Sequence, residues 1–447
     1  MTKFFSFNSV LSQPDFVMGV ATSSFQIEGG SEHREPCIWD TFCRVPGAIK
    51  DGSNGMQACN HYDLWQQDIA LIDELGFDAY RFSVCWPRII RADGSINESG
   101  LAFYLQILDE LERRGLKAYV TLYHWELPQY LEDKGGWLNR HTAYAFADYA
   151  GVVARAFGNK VSAYTTLNEP YCSAFLGYEI GIHAPGKIGK QYGKKAAHHL
   201  LLAHGLAMQV LREVCPDIPS GLVLNFTTYY PASKSTEDSQ AALKAKAHFS
   251  DWYIKPALTG QYPALLENLP DAEKPLIAPG DMAIIATPMD YLGVNYYTRA
   301  LVRAQPGGHF EILPPAPDVE ITAMNWEIYP EGLYDLLLQL NQEYDLPPLF
   351  ITENGMASDD VVQQGQIKDV VRADYLQSHL EAVANAINKG VEIKGYFVWS
   401  LLDNFEWAEG YLKRFGIVYV DFATQQRVPK QSALMLQDWL TQRHKPL

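Results

Sequence analysis

Two glutamates stand where apolar runs stop, and they are the residues in this chain best suited to chemistry. Glu169 ends Thr165-Thr166-Leu167-Asn168 and is followed by Pro170; Glu353 ends Phe350-Ile351-Thr352 and is followed by Asn354-Gly355. Pro170 cannot donate to a β-ladder and is expected to hold Glu169 extended, while Gly355 permits a turn out of the second run. One such carboxylate is as easily half of a structural ion pair as a functional group. Two of them, on separate strands ending at one rim, favour a working pair. Glycoside hydrolysis needs such a pair: one carboxyl protonates the leaving oxygen while the other attacks or stabilises the sugar carbon.

Other apolar runs end in similar fashion. Their last residues are Gln26, Trp86, His124-Trp125, Asn225, Asn295-x-Tyr297 and Trp399. Amide, imidazole and carboxyl groups suit the hydroxyls of a polyhydroxylated ligand, and Trp suits its flat ring faces.

The elements that must position these groups are eight short β-rich runs, most of them followed by a helical pattern. They are Val17–Gln26, Ala79–Trp86, Lys117–Trp125, Ala163–Glu169, Gly221–Asn225, Tyr291–Tyr297, Leu349–Glu353 and Lys394–Leu402. Each is near-continuously apolar, as parallel strands covered on both faces are. Amphipathic helices fall between them, including Tyr62–Leu75, Leu101–Arg114 and Tyr375–Lys389, the last closed by Gly390. Eight alternations predict a single α/β domain over 1–447, a (β/α)8 TIM barrel with extended active-site loops. Cys43–Asn60 and Arg303–Val319, rich in Gly, Asp, Asn and Pro, read as such loops. Functional groups on a barrel project from the C-terminal strand ends, where both glutamates fall.

At these residues the chain resembles glycoside hydrolase family 1, the family of β-glucosidases, β-galactosidases and 6-phospho-β-glycosidases. The resemblance runs from Phe16 to Asp438. It rests on Ser24-Phe25-Gln26-Ile27-Glu28-Gly29, Tyr80-Arg81-Phe82-Ser83, Tyr123-His124-Trp125-Glu126-Leu127-Pro128 and Thr166-Leu167-Asn168-Glu169-Pro170. It continues in Gly293-Val294-Asn295-Tyr296-Tyr297, Ile351-Thr352-Glu353-Asn354-Gly355 and Trp399-Ser400-Leu401-Leu402-Asp403-Asn404-Phe405-Glu406-Trp407. The resemblance implies Glu169 as acid/base, Glu353 as nucleophile, and Arg81 and Tyr297 as the groups that keep Glu353 ionised. It implies Gln26, His124, Asn168 and Glu406 as hydroxyl ligands, Trp399 as stacking floor, and Trp407 as a further contact. Trp125, Asn295 and Phe415 join that pocket, and Trp326 resembles the family's stacking residue on the leaving-group side. Asn168 and Glu169 are adjacent, so the backbone must twist for both to face the sugar.

The pair implies a mechanism. An ionised Glu353 raises the pKa of Glu169, which starts protonated; once Glu353 becomes a glycosyl ester, Glu169 can act as base. A carboxyl separation of ~5 Å implies retention of configuration. The family's phosphate-binding branch carries Ser at position 406 and Tyr at 415. Here Glu406 and Phe415 stand there, although Lys413 is present, so neutral sugars are expected. Many relatives have Trp where this chain has Tyr171.

Bulk properties narrow the rest. Lys plus Arg total 36 against 52 Asp plus Glu, a net charge of −16, which opposes nucleic-acid or anionic-membrane binding. Met1–Val20 lacks the apolar core of a signal peptide, and six Cys without a C-x-x-C pair fit free thiols in the cytoplasm. No cofactor and no metal are implied, and the expected partners are small β-glucosides and short oligosaccharides. Oligomeric state has no signature in the sequence. Gly181-x-x-x-x-Gly186-Lys187 lacks the Ser or Thr of a phosphate loop, and His198, His199 and His204 are spaced for helix packing rather than metal.

Overall fold

The computed structural model describes residues 10–443; residues 1–9 of the Met1–Val20 segment lie outside them. Eight parallel strands form the centre: β1 (Val17–Ala21), β2 (Ala79–Ser83), β3 (Lys117–Tyr123), β4 (Ala163–Asn168), β5 (Ser220–Pro231), β6 (Tyr291–Ala304), β7 (Leu349–Asn354) and β8 (Ile393–Trp399). Each pairs with the next, and β1 pairs with β8, so the sheet closes into a barrel. Helices return the chain between strands, for example His61–Glu74, Glu98–Arg114 and Val370–Asn388. Glu98–Arg114 buries Leu101, Tyr104, Ile107, Leu108 and Leu111, spaced three and four apart, and stops at Gly115 with φ 72°.

The bore is filled by rings. Tyr119 lies 4.8 Å from Phe397 and 5.7 Å from Phe350 (centroid to centroid), and Tyr291 lies 5.4 Å from Phe350. Because all strands run parallel, all their C-terminal ends meet at the opposite rim.

Several sequence boundaries are corrected. Gln26 is on a helical turn, Ser24–Ile27, beyond β1, and Trp86 opens another, Trp86–Ile89, where it stacks on Tyr149 at 5.1 Å. Val84, Cys85 and Trp86 stay apolar past β2 because that turn is buried too, whereas residues 22–26, past β1, are mostly polar yet equally buried. β8 stops at Trp399 rather than Leu402. β5 and β6 run longer than expected and remain paired from Thr228↔Arg299 to Pro231↔Val302. Part of Arg303–Val319, read as loop, is the strand Phe310–Leu313, which folds back antiparallel on β6. The last helix of the sequence reading begins at Val370, earlier than Tyr375; an Arg372–Asp369 ion pair holds a first turn that apolar periodicity does not register.

Candidate active site

Glu353 sits at the end of β7 and is 3% exposed. Arg81 Nη1, from β2, donates to its Oε1 at 2.8 Å, and the Tyr297 hydroxyl, from β6, donates to its Oε2 at 2.7 Å. Gly355 is required for a reason other than the expected one. Its φ is not left-handed; a Cβ there would lie 1.8 Å from the Trp399 carbonyl oxygen. A close approach between β7 and β8 demands the glycine.

Glu169 follows β4 and is 5% exposed. It is not extended as Pro170 suggested: its φ is 47°, a left-handed conformation that costs a non-glycine residue on the order of 1–3 kcal/mol. Its own N–H still donates to Val223 O at 3.0 Å. The turn lets the adjacent Asn168 and Glu169 join one network. Asn295 Nδ2 donates to Glu169 Oε1 at 2.7 Å and to Asn168 Oδ1 at 3.1 Å, and Arg81 Nη2 donates to Asn168 Oδ1 at 2.7 Å. Thr352 Oγ1 donates to Asn295 Oδ1 at 2.7 Å and fixes the orientation of that amide. Four strand ends are thereby linked.

Burial raises the pKa of both carboxyls. For Glu169 the charge of Glu353 adds to burial, so desolvation leads and the repulsion expected from sequence is second. For Glu353, Arg81 and then Tyr297 oppose burial. The proton of the pair therefore resides on Glu169.

Around the pair lie the other residues singled out from sequence. Asn168 Oδ1 accepts from Arg81 and Asn295, so its Nδ2 faces His124 Nε2 at 3.1 Å. That assignment makes Nε2 an acceptor and puts the imidazole proton on Nδ1, a buried atom with no protein partner. Burial holds the ring neutral. The ring lies near parallel to Trp399 (5.7 Å, 19°) and to Trp407 (6.1 Å, 16°). Trp125 anchors its indole N–H on Asn168 O at 2.9 Å. Gln26 Nε2 donates to Asn404 Oδ1 (3.1 Å), Phe405 O (2.9 Å) and Glu406 Oε2 (3.3 Å). Burial and the Glu353 charge push Glu406 up to about 8. Phe415 is buried against Tyr297 and Trp326, at 6.0 and 6.1 Å, and Lys413 Nζ is spent on Ala323 O at 2.6 Å.

Sequence reasoning missed three contributors. Cys172 donates its thiol to Glu169 Oε2 at 3.2 Å; its signal was the i+3 spacing from Glu169 into a helical segment. Thr352 and Asn404 were passed over as neighbours of more conspicuous residues. The three helix histidines are accounted for by protein partners: His198 by Asp281 and Tyr262, His199 by Trp137 O, and His204 by Thr166.

A parallel (β/α)8 barrel whose rim buries one carboxyl paired to a guanidinium and another that keeps its proton, ringed by amides and indoles, defines a barrel glycosidase of the double-displacement type. Comparison with known proteins agrees. The family model described as glycosyl hydrolase family 1 matches residues 11–445. A β-glucosidase of Agrobacterium sp. is 45% identical over 94% of this chain and 93% of its own. A bifunctional β-D-glucosidase/β-D-fucosidase of Bifidobacterium breve is 42% identical, covering 93% and 95%. The solved family 1 β-glucosidase of Thermotoga maritima superposes with a TM-score of 0.94 at 42% identity, covering 97% of this chain and 99% of that one. The chain belongs to glycosyl hydrolase family 1, and it is a retaining glycoside hydrolase.

Proposed function

We propose that the protein removes terminal non-reducing β-D-glucosyl residues, and β-D-fucosyl or β-D-galactosyl residues, from neutral β-glycosides. In this reading the chain is one catalytic domain, with Glu353 as nucleophile and Glu169 as acid/base. The carrying observation is the asymmetry of the two carboxyls: Glu353 alone has the Arg81 cation at 2.8 Å and the Tyr297 hydroxyl at 2.7 Å.

Glu353 Oε attacks the anomeric carbon as Glu169 passes its proton to the departing oxygen. The glycosyl ester neutralises Glu353, the repulsion on Glu169 vanishes, and its pKa falls. Glu169 then takes a proton from water, which attacks the same face and releases sugar with its original configuration. Asn168 suits the 2-hydroxyl, where a hydrogen bond strengthens in the transition state. His124 Nδ1–H, Gln26 and Glu406 suit the remaining hydroxyls, with Trp399 beneath the ring and Trp407 and Trp125 beside it. A phosphorylated sugar finds a carboxyl at Glu406, a ring at Phe415, and Lys413 already bonded to Ala323 O, so the unphosphorylated sugar is favoured.

Cytoplasmic residence belongs to the same reading and is supported by six unpaired thiols. A role in cellulose breakdown, through cellobiose, would follow from the reaction. No helix among the described residues is long and apolar enough to cross a membrane.

The test is turnover of nitrophenyl β-glucoside, β-fucoside, β-galactoside and 6-phospho-β-glucoside in parallel, with an α-glucoside control. Turnover of the neutral β-glycosides alone is expected. Turnover of the phosphorylated sugar alone would overturn the substrate assignment.

A further inference from the structure

Glu353 and Tyr297 each have a sequence neighbour on the opposite face of the strand. Successive side chains of a strand alternate in direction, so Asn354 leaves β7 toward the surrounding helices, and Tyr296 leaves β6 likewise. Both are fully buried. The β6–β7 register ends at Asn295↔Glu353, after a shift of one residue that follows Val294↔Ile351. Beyond that point side chains join the two strands. Asn354 Nδ2 donates to Tyr296 O at 2.6 Å. The Tyr375 hydroxyl, from the helix Val370–Asn388, donates to Tyr297 O at 3.1 Å and accepts from Asn354 Nδ2 at 3.0 Å. The Tyr396 hydroxyl, from β8, donates to Asn354 Oδ1. Both N–H groups and the carbonyl oxygen of the Asn354 amide therefore have protein partners.

Tyr375 is 1% exposed, and its ring stacks on His379 at 3.8 Å and 22°. His379 donates from Nδ1 to Tyr375 O at 2.8 Å, and burial pushes the imidazole pKa down to about 3, so it stays neutral. The Tyr375 ring serves packing. Its hydroxyl serves something else, because of what it touches. One partner is the carbonyl of the residue whose own hydroxyl holds Glu353 Oε2 at 2.7 Å; the other is the amide of the residue after Glu353.

Resting on the reading of Glu353 as nucleophile, we propose that Tyr375 and Asn354 are positioning residues: they lock the ends of β6 and β7 together and so hold the Tyr297 hydroxyl on Glu353. A hydrogen bond weakens steeply as its angle and distance depart from the optimum, so a small movement of the β6 end reaches the nucleophile. The titratable groups around Glu353 are Arg81 from β2, Glu169 and Cys172 from beyond β4, Tyr297 from β6 and Glu406 from beyond β8. Of these, Tyr297 is the one bonded to Tyr375.

The experiment is the pH profile of kcat/KM, on the nitrophenyl β-glycoside turned over fastest, for the wild type, Tyr375→Phe, Tyr297→Phe and the double variant. The acidic limb reports the group that must be ionised in the free enzyme. A donor to a carboxylate favours its ionised form, so Tyr297→Phe is expected to move that limb to higher pH by about one unit. Tyr375→Phe keeps the ring and should move the limb about half as far, leaving the basic limb in place. In the double variant the shift should equal that of Tyr297→Phe alone, because the hydroxyl that Tyr375 positions is gone. An unmoved acidic limb in Tyr375→Phe, or shifts that add in the double variant, would overturn the proposal. Should Tyr375→Phe not fold, Tyr396→Phe, which removes only the donor to Asn354 Oδ1, is read in the same two ways. An acidic limb unmoved by Tyr297→Phe would instead overturn the reading of Glu353 and Tyr297 on which the proposal rests.

Discussion

The Cys172 thiol donates to Glu169 Oε2 at 3.2 Å, on the opposite oxygen from the one Asn295 holds. A donor to a carboxylate favours its ionised form, so this thiol lowers the pKa of a group that burial and Glu353 raise. In the proposed reaction Glu169 alternately holds and releases a proton, and the thiol sits on the oxygen beside that exchange.

Cys172→Ala is therefore expected to raise the pKa of Glu169. The basic limb of kcat/KM against pH, which reports loss of the acid's proton, should move to higher pH. The acidic limb, set by Glu353, should stay. A pH profile that keeps both limbs in place would refute the coupling.

Glu353→Gly should reduce turnover of nitrophenyl β-glucoside by roughly 10⁴-fold or more. Azide, small enough to enter the space left by the carboxyethyl side chain, should restore activity and give the α-glycosyl azide. NMR of the product decides; a β-azide would mean that Glu353 is not the nucleophile.

Glu169→Ala should separate substrates by leaving group. Proton transfer by a placed acid contributes about 10²–10⁴-fold, so methyl β-glucoside should lose that much. Dinitrophenyl glucoside, whose phenolate needs no proton, should retain most of its first-step rate, measured as the burst of phenolate. Equal losses on both would reassign the acid.

Glu126, between Trp125 and Leu127, is fully buried, and neither of its carboxyl oxygens has a hydrogen-bond partner. Burial pushes its pKa up to about 8 from an ordinary 4.5. The folded state thus binds more protons than the unfolded one between these values. Its stability should fall with rising pH across that window, by up to about 1.4 kcal/mol per unit from this group, and level off above it. Glu126→Gln removes the proton linkage. Relative to wild type its melting temperature should rise progressively from pH 5 to pH 8, as scanning calorimetry would detect. A constant difference between the two proteins would show that Glu126 does not titrate there.

Much of this enzyme was legible in its sequence, and the reasons are local. Near-continuous apolar runs mark strands covered on both faces, so β1 to β8 could be counted and their C-terminal ends identified. Glu169 and Glu353 were conspicuous because carboxyls seldom end such runs. What a linear pattern does not encode is where each run stops bonding. Gln26 reads as strand because the turn it occupies is as buried as β1. The hairpin strand Phe310–Leu313 reads as loop because it is short and half-exposed.

The residue types and their order were enough to set the barrel and the reaction class and to nominate the two glutamates proposed to carry it, since these depend on patterns within a few residues. Tertiary structure decided the rest. The twist at Glu169, the shared hold of Arg81 on Glu353 and Asn168, the thiol at Cys172 and the side-chain link between β6 and β7 at Asn354 all arise where separate strand ends converge. Their energies depend on distances and desolvation that exist only once the barrel has closed.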